Sequence, residues 1–477
     1  MKQKTLSILL AVLMSIVASV ALAYDYDCVV DGIYYKRLTG TIFEVTYGEN
    51  KYSGDVVIPP KATYMGKTHT VLSIGEDAFS GCSNLTSVTI PYSVKDIGYD
   101  AFMNCSGLTK AEFASIESLC KMDFSNKYSN PLCNADHLYI NGKEVKDLVF
   151  PHSLTSIGKN AFYNFKGLTS VTIHNYVTSI GENAFSGCTG LTSITIPDSV
   201  TSIGASAFYG CTGISSVKIP SGLSTIEEYT FQGCTGLKTI IFSEGLKKIM
   251  DGAFGGCSSL TSLDFPNSLE KIGNNAFSGC SITSLYIPNN VKGIGDGAFQ
   301  RLLNLKEAVI GDGVTDIGEA AFRNCSELST ITLGRNLEYL SPLTFRGCEK
   351  LFKIICLGRN PSVSPIYSRS VGGAFSSLEP PFDDIHYTWT DVYVPYGCLK
   401  AYRQTTDGTI YERYFDNFWR KFISVIQMEP DKISDCLKDS NEDMEIISIS
   451  GAKLNQPKKG VNIIHFSNGA TKKILVR

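Results

Sequence analysis

The chain has 477 residues, 43% of them hydrophobic and 19% charged, with 43 Lys plus Arg against 46 Asp plus Glu. That composition supports a large packed core and excludes a disordered chain or one embedded in bulk in a membrane. The near-even charge forms no basic stripe able to offset phosphate, so nucleic acid is excluded as a partner.

Residues 1–23 place Lys2 and Lys4 before an apolar run that closes on Ala21-Leu22-Ala23. This is the order of a secretory signal peptide, whose removal leaves no membrane span. The run from Leu6 to Ala23 is long for such a segment, so an uncleaved N-terminal anchor is the competing reading. No lipobox precedes Cys28, which speaks against a lipid anchor. Residues 24–73 are Tyr-rich, hairpin-like and non-repeating. They read as an N-terminal cap over the strand edge that a stack would otherwise expose. Inside this cap, "GDVVIPP" ending at Pro60 already imitates the strand of the repeat that follows.

Residues 74–357 repeat. Copies begin at Ile74, Ile97, Ile157, Ile180, Ile203, Ile226, Ile249, Ile272, Ile294, Ile317 and Leu340, at a step of 23 residues nearly throughout. The step is 22 from Ile272 to Ile294, and 60 from Ile97 to Ile157, which is one period plus an insert of 37. In the copy spanning 180–202, Leu191, Ile194 and Ile196 alternate with small polar residues, the pattern of a short strand with one face in a core. Pro197 ends it, because proline has no N–H to give a ladder. Val200, Ile180, Ala184, Phe185 and Cys188 are too irregular for a helical stripe of more than about one turn and read as a return arc turned inward. The Gly187 position holds Gly or Asn in most copies, as at Gly210, Asn104 and Asn324, which marks a left-handed backbone. One strand and one arc cannot bury their own apolar face, so the copies must stack as a solenoid with parallel strands. At roughly 4.8 Å per strand, eleven coils give a sheet on the order of 50 Å long.

The pattern L-x-x-I-x-I-x-x-S-V is the leucine-rich-repeat signature. More closely, the copy "IG..AF.GC..LTS(V/I)TIP.SVTS" resembles the BspA-like class of leucine-rich repeats, over about residues 52–357. The resemblance implies a bacterial surface protein, adhesin-like, that attaches to host matrix proteins or to other cells. A glycan-binding or structural envelope protein is the alternative.

The insertion, residues 114–147, interrupts an arc and is expected to bulge from the solenoid's side. Residues 358–428 hold "DVYVPYGCLKAYR" and "YFDNFWRKFISVIQ", a strand followed by a helix or arc, and read as the C-terminal cap. Residues 429–477 begin with a polar link and continue as short strands, with Asn468-Gly469 a hairpin turn. Ile446 to Leu454, Gly460 to Phe466 and the Lys472–Arg477 terminus resemble the C-terminal sorting domain of type IX secretion, although Ala452 stands where that family has Arg after "SG". The competing reading is a small accessory β-module.

Nine of the fifteen cysteines (Cys82, Cys105, Cys188, Cys211, Cys234, Cys257, Cys280, Cys325 and Cys348) share one column with Phe165 and Leu302. A position that accepts Phe and Leu is an apolar pocket, so these thiols read as buried, reduced hydrophobes and not as disulfides or metal ligands. Of the other six, only Cys120 with Cys133 suggests a local bridge. The six histidines (His69, His137, His152, His174, His386 and His465) are scattered, and no nucleophile-elbow, zinc or phosphate-loop motif occurs. No catalytic residue, metal site or cofactor is expected, and the protein reads as a non-enzyme. Binding would fall on the outward strand face. Its second outward column is plain Thr in many early coils, then varies as Lys218, Ile241, Asp264, Tyr286 and Val309. Such variety fits an interaction patch and fits equally the preference of strands for β-branched and aromatic residues.

Overall fold

The computed structural model describes residues 26–359 without a break, then residues 364–365, 381–382, 390–394, 415–416, 424–427, 444–448, 453–454, 460–466 and 471–476. The segment carrying the signal-peptide pattern lies outside them. The fold is a parallel β-solenoid of about twelve turns.

Each coil has three sides, and two carry ladders. The long ladder uses the expected strands, such as Ser170–Thr172 and Ser193–Thr195, with Val171 opposite Ile194. Ser193 and Thr195 face solvent and Ile194 faces the core. Gly54–Val57 pairs with Leu85–Ile90, so the imitation seen in the sequence is a true first strand of the stack. At the other end the ladder runs from Lys353–Cys356 through Asp391–Val394 to Ser424–Gln427. The ladder is interrupted between Ser193–Thr195 and Ser216–Lys218, which do not pair, and at residues 261–266, which form no strand. The following coil still reaches the latter stretch, Thr283 N donating to Thr261 O at 3.2 Å.

The second ladder is built from two-residue strands at the repeat's Ile position, where Ile180 lies opposite Ile203 and Ile226 opposite Ile249. The third side is the arc, and it is regular. Asn183, Phe185 and Gly187 donate their N–H groups to the carbonyls of Ala205, Ala207 and Tyr209 in the next coil at 3.1, 2.8 and 2.7 Å. On the Ile side the direction reverses, Gly181 N donating to Ile157 O of the preceding coil. Bonding between coils on all three sides satisfies a backbone that is otherwise too short for helix or strand. The arcs therefore carry turns and not the short helices the sequence allowed. Among the described residues the α-helix Ile116–Lys121 and the 3-10 turn Pro131–Cys133 both belong to the insertion.

The insertion does not bulge from the side as its position suggested. His137–Ile140 pairs in parallel with Lys110–Phe113, and Asp123–Phe124 with Asp96–Ile97, with Phe124 taking the Ile position. The segment is thus a degenerate coil stacked with the others, closed by an antiparallel hairpin to Lys143–Val145. Its apolar residues Leu119, Phe124, Leu132 and Leu138 are buried. A lateral bulge would have left those groups in water, at about 25 cal/mol per Å².

The core is a set of columns. Phe162, Phe185, Phe208, Phe231, Phe254 and Phe277 stack with ring centroids 5.3–5.5 Å apart and interplanar angles of 10° or less. The column continues through Phe299, Phe322 and Phe345 to Phe382. All nine repeat cysteines are buried and free. Cys120 and Cys133 are free as well, which corrects the expected bridge; Cys120 packs inside the helix of the insertion and Cys133 sits in the 3-10 turn, its Sγ 2.9 Å from Asn134 Nδ2. At the N-terminus, Cys28–Val30, Ile33–Thr39 and Ile42–Thr46 form an antiparallel meander whose last strand pairs in parallel with Lys67–Ile74, the start of the second ladder. Near the C-terminus, Met444–Ser448, Lys453–Leu454, Gly460–Phe466 and Thr471–Val476 form a four-stranded antiparallel sheet. His465 pairs with Thr471, while Asn468 and Gly469 lie outside the described residues.

Candidate binding face

The long ladder turns alternate side chains outward, so one residue per coil lines up at strand spacing of about 4.8 Å. Lys218 lies opposite Ile241 and Tyr286 opposite Val309, with exposed Asp264 in the unladdered coil between the pairs. The structure thus brings the five sequence-selected residues onto one side of successive coils. Ile241 is 57% exposed and Tyr286 37%. Lys218 Nζ lies 3.2 Å from Asp198 Oδ2, and Asp198 also accepts the Ser221 N–H at 3.0 Å. The Ser221 N–H and then the Lys218 ammonium hold the Asp198 carboxyl below its usual range. Burial, reinforced by the Asp312 carboxylate, pushes the Tyr286 phenol up. Past Val309 the column closes, because Thr332 and Ile355 are buried.

Two residues of the same column escaped the sequence reading. Val57 and Val149 are 65% and 69% exposed, more than Ile241, and lie opposite Thr89 and Thr172. They belong to the transition coil and to the coil resuming after the insertion, where the repeat's period is lost; alignment of "DVV" and "DLV" with the strand template was the available signal.

Among the described residues the histidines do not converge. His69 is buried and stacked on Phe43 at 4.0 Å, and His137 Nδ1 meets Glu144 Oε1 at 2.7 Å. His174 holds Pro151 O through Nε2 and stacks on His152 at 4.9 Å. His386 lies outside the described residues and His465 in the C-terminal sheet. Among the described residues no three His, Cys, Asp or Glu side chains gather as a metal site would require, and no helix is long and apolar enough to cross a membrane.

Short parallel strands, stacked Phe and Cys columns and an exposed strand face define a leucine-rich-repeat solenoid, a scaffold for protein interaction. The chain belongs to the BspA type leucine-rich-repeat family, whose repeat region matches in six copies over residues 61–135, 135–260 and 224–352. A leucine-rich repeat protein from Bacteroides ovatus is 25% identical over 85% of this chain and all of its own, with a TM-score of 0.46. A leucine rich cell surface protein from Faecalibacterium prausnitzii is 22% identical over 69% of this chain and 94% of its own, at 0.44. The pneumococcal vaccine antigen PcpA is 19% identical over 85% of this chain and 99% of its own, at 0.46. No curated protein matches the sequence significantly.

Proposed function

We propose that the protein is exported and displayed on the outer face of a bacterial envelope, where it works as an adhesin-like scaffold without catalytic activity. Its ligand is an extracellular protein, either host matrix or a component of another cell's surface. The observation that carries this reading is the outward column, which sets exposed Ile241 and half-buried Tyr286 beside the charges of Lys218 and Asp264. Apolar anchors among charges suit a large protein surface, where a few side chains supply most of the binding energy. Residues 1–23 supply export, 24–73 and 358–428 cap the solenoid of 74–357, and 429–477 supply sorting or attachment.

The test is retention of the purified protein on immobilised matrix proteins and polysaccharides, with Ile241→Ser and Lys218→Ser as the paired loss variant. Protein binding that the double variant abolishes is the expected result. Polysaccharide retention without any protein binding overturns the reading in favour of a glycan-binding or structural envelope role.

A further inference from the structure

On the arc side, away from the strand face, the coil at 249–257 lacks the side chains its neighbours carry. Gly255 stands where adjacent coils have Gln232 and Ser278, and Gly252 where they have Tyr229 and Asn275. The result is a groove of about 530 Å³, within the roughly 300–1,000 Å³ of small-ligand sites. Tyr209 and Tyr229 wall one side, 45% and 43% exposed. Tyr229 lies against the Gly252 backbone so closely that a Cβ there would be 2.5 Å from its Cδ1. Glycine at 252 is therefore what lets the ring occupy the wall.

The polar groups around this groove divide into two sets. Asp251 and Asn274 are engaged in holding coils together: Asp251 Oδ1 accepts Asn274 N at 2.8 Å, and Asn274 Oδ1 accepts Asp296 N at 2.8 Å. Without a hydrogen-bond partner among the described residues are the Gln232 amide, the Ser278 and both tyrosine hydroxyls, and the Asn275 Nδ2, since Asn275 Oδ1 alone is taken, by Gln300. Among the described residues no lysine or arginine lines the groove, and Asp251 contributes a carboxylate, so an anion is disfavoured. Two half-exposed tyrosine rings beside planar amides and hydroxyls suit a ligand with apolar ring faces and a rim of hydroxyls.

We propose that the groove walled by Tyr209 and Tyr229 binds a short neutral oligosaccharide, independently of the strand face. Tyr229 stands at φ 57°, where a bulky residue costs backbone energy, so the ring is not there to stabilise the coil. This site goes beyond the protein-binding reading and neither requires nor weakens it.

The repeat itself supplies variants that preserve the fold. Gly255→Gln fills the groove with the residue of Gln232 and Gln300. Tyr229→Asn removes the ring while installing the residue of Asn183 and Asn275, which share its left-handed backbone. Calorimetric titration of the purified protein uses neutral tri- to pentasaccharides: β- and α-linked glucans, N-acetylglucosamine oligomers, mannans and galactans. We expect at least one probe to bind, and Tyr229→Asn to weaken it about tenfold, the loss of one aromatic stack. Gly255→Gln should abolish binding, and both variants should still unfold in the cooperative transition of a folded solenoid, Tyr229→Asn at no lower temperature than the native chain. Ile241→Ser with Lys218→Ser should leave sugar binding intact and so separates the two sites. Absence of binding by every probe, or binding indifferent to Gly255→Gln, overturns the proposal.

Discussion

The Cys211 thiol lies 3.1 Å from the backbone carbonyl oxygen of Phe185, 26 residues back and one coil away. The same carbonyl accepts the N–H of Cys188 within its own turn, also at 3.1 Å. Both lone pairs of a buried oxygen are thus filled, one by the turn and one by the next coil. The pairing recurs from Cys105 with Phe79 to Cys348 with Phe322. The cysteine column is therefore more than a set of small hydrophobes, since eight of its nine thiols, all but that of Cys82, add a weak polar link between coils.

Cys211→Ala should cost about 1–2 kcal/mol, part from the lost thiol–carbonyl link and part from the void left behind. Chemical denaturation checks the magnitude. Thiol counting under non-reducing conditions should find at least the nine column cysteines free after unfolding, and almost no reaction before it. A count near one would mean that the column is oxidised and the stacking misread.

Burial pushes the thiols of Cys105, Cys234 and Cys280 up to about 12 from an ordinary value of 9.0. Below pH 9 both folded and unfolded chains hold these protons, and stability is indifferent to them. Between about pH 9 and 12 the unfolded chain releases protons that the folded chain keeps, so stability falls as pH rises. The urea midpoint should be flat from neutrality to pH 9 and decline above it. Replacing the three cysteines by Ala should flatten the decline in part, the remainder coming from other buried thiols and from the Tyr35 and Tyr52 phenols, which burial also raises.

Phe231 sits mid-column, stacked at 5.3 Å on both Phe208 and Phe254. Phe231→Ala should cost about 3–5 kcal/mol. A solenoid is held by nearest-neighbour interfaces, so a defect at its centre weakens the coupling between its halves. Calorimetry should show a broadened or split transition, whereas Phe382→Ala at the end of the column should lower the midpoint without splitting it.

What could be read from the sequence depended on how narrowly each position restricts residue type. The strand, Phe and Cys columns face the core and admit few side chains, so they stood out. The second ladder has strands of two residues, such as Ser202–Ile203, too short to show alternation. A second left-handed position per coil was invisible because Asp100, Asn183, Ser206, Tyr229, Ala320 and Leu343 all occupy it, the backbone being imposed by stacking and not by the residue. The insertion was misjudged because Phe124 replaces Ile, and Lys110 and His137 pair at a 27-residue spacing that breaks the period. Of the candidate sites, the strand face followed from alternation, whereas the groove at Gly252 and Gly255 arises from side chains that are missing.

The two kinds of glycine position predict changes of opposite sign. A Cβ on Gly204 would fall 2.5 Å from the Glu182 backbone nitrogen of the preceding coil. Neither backbone can yield, and Gly204→Ala should destabilise by about 1–3 kcal/mol, as overpacking does. Ala320 sits at φ 56° with a small, half-buried side chain. Ala320→Gly should relieve left-handed strain and stabilise by several tenths of a kcal/mol up to about 1. Thermal melts of the pair check both signs in one experiment.

The C-terminal sheet formed by Met444–Ser448, Lys453–Leu454, Gly460–Phe466 and Thr471–Val476 pairs only within itself among the described residues. The solenoid's ladder ends earlier, at Ser424–Gln427, where Val425 lies opposite Val392. Among the described residues, a chain ending at Met428 therefore keeps every strand of the solenoid's ladders. Its thermal unfolding should stay within about a degree or two of the full protein. A chain ending at Lys421 loses the last strand, leaves Asp391–Val394 as an open edge and should unfold at a clearly lower temperature. If the tail carries the sorting signal, export of the Met428 truncation in the native host loses surface association while the solenoid remains folded. Marked destabilisation of that truncation would make the tail part of the solenoid's cap, and an unchanged surface location would remove its sorting role.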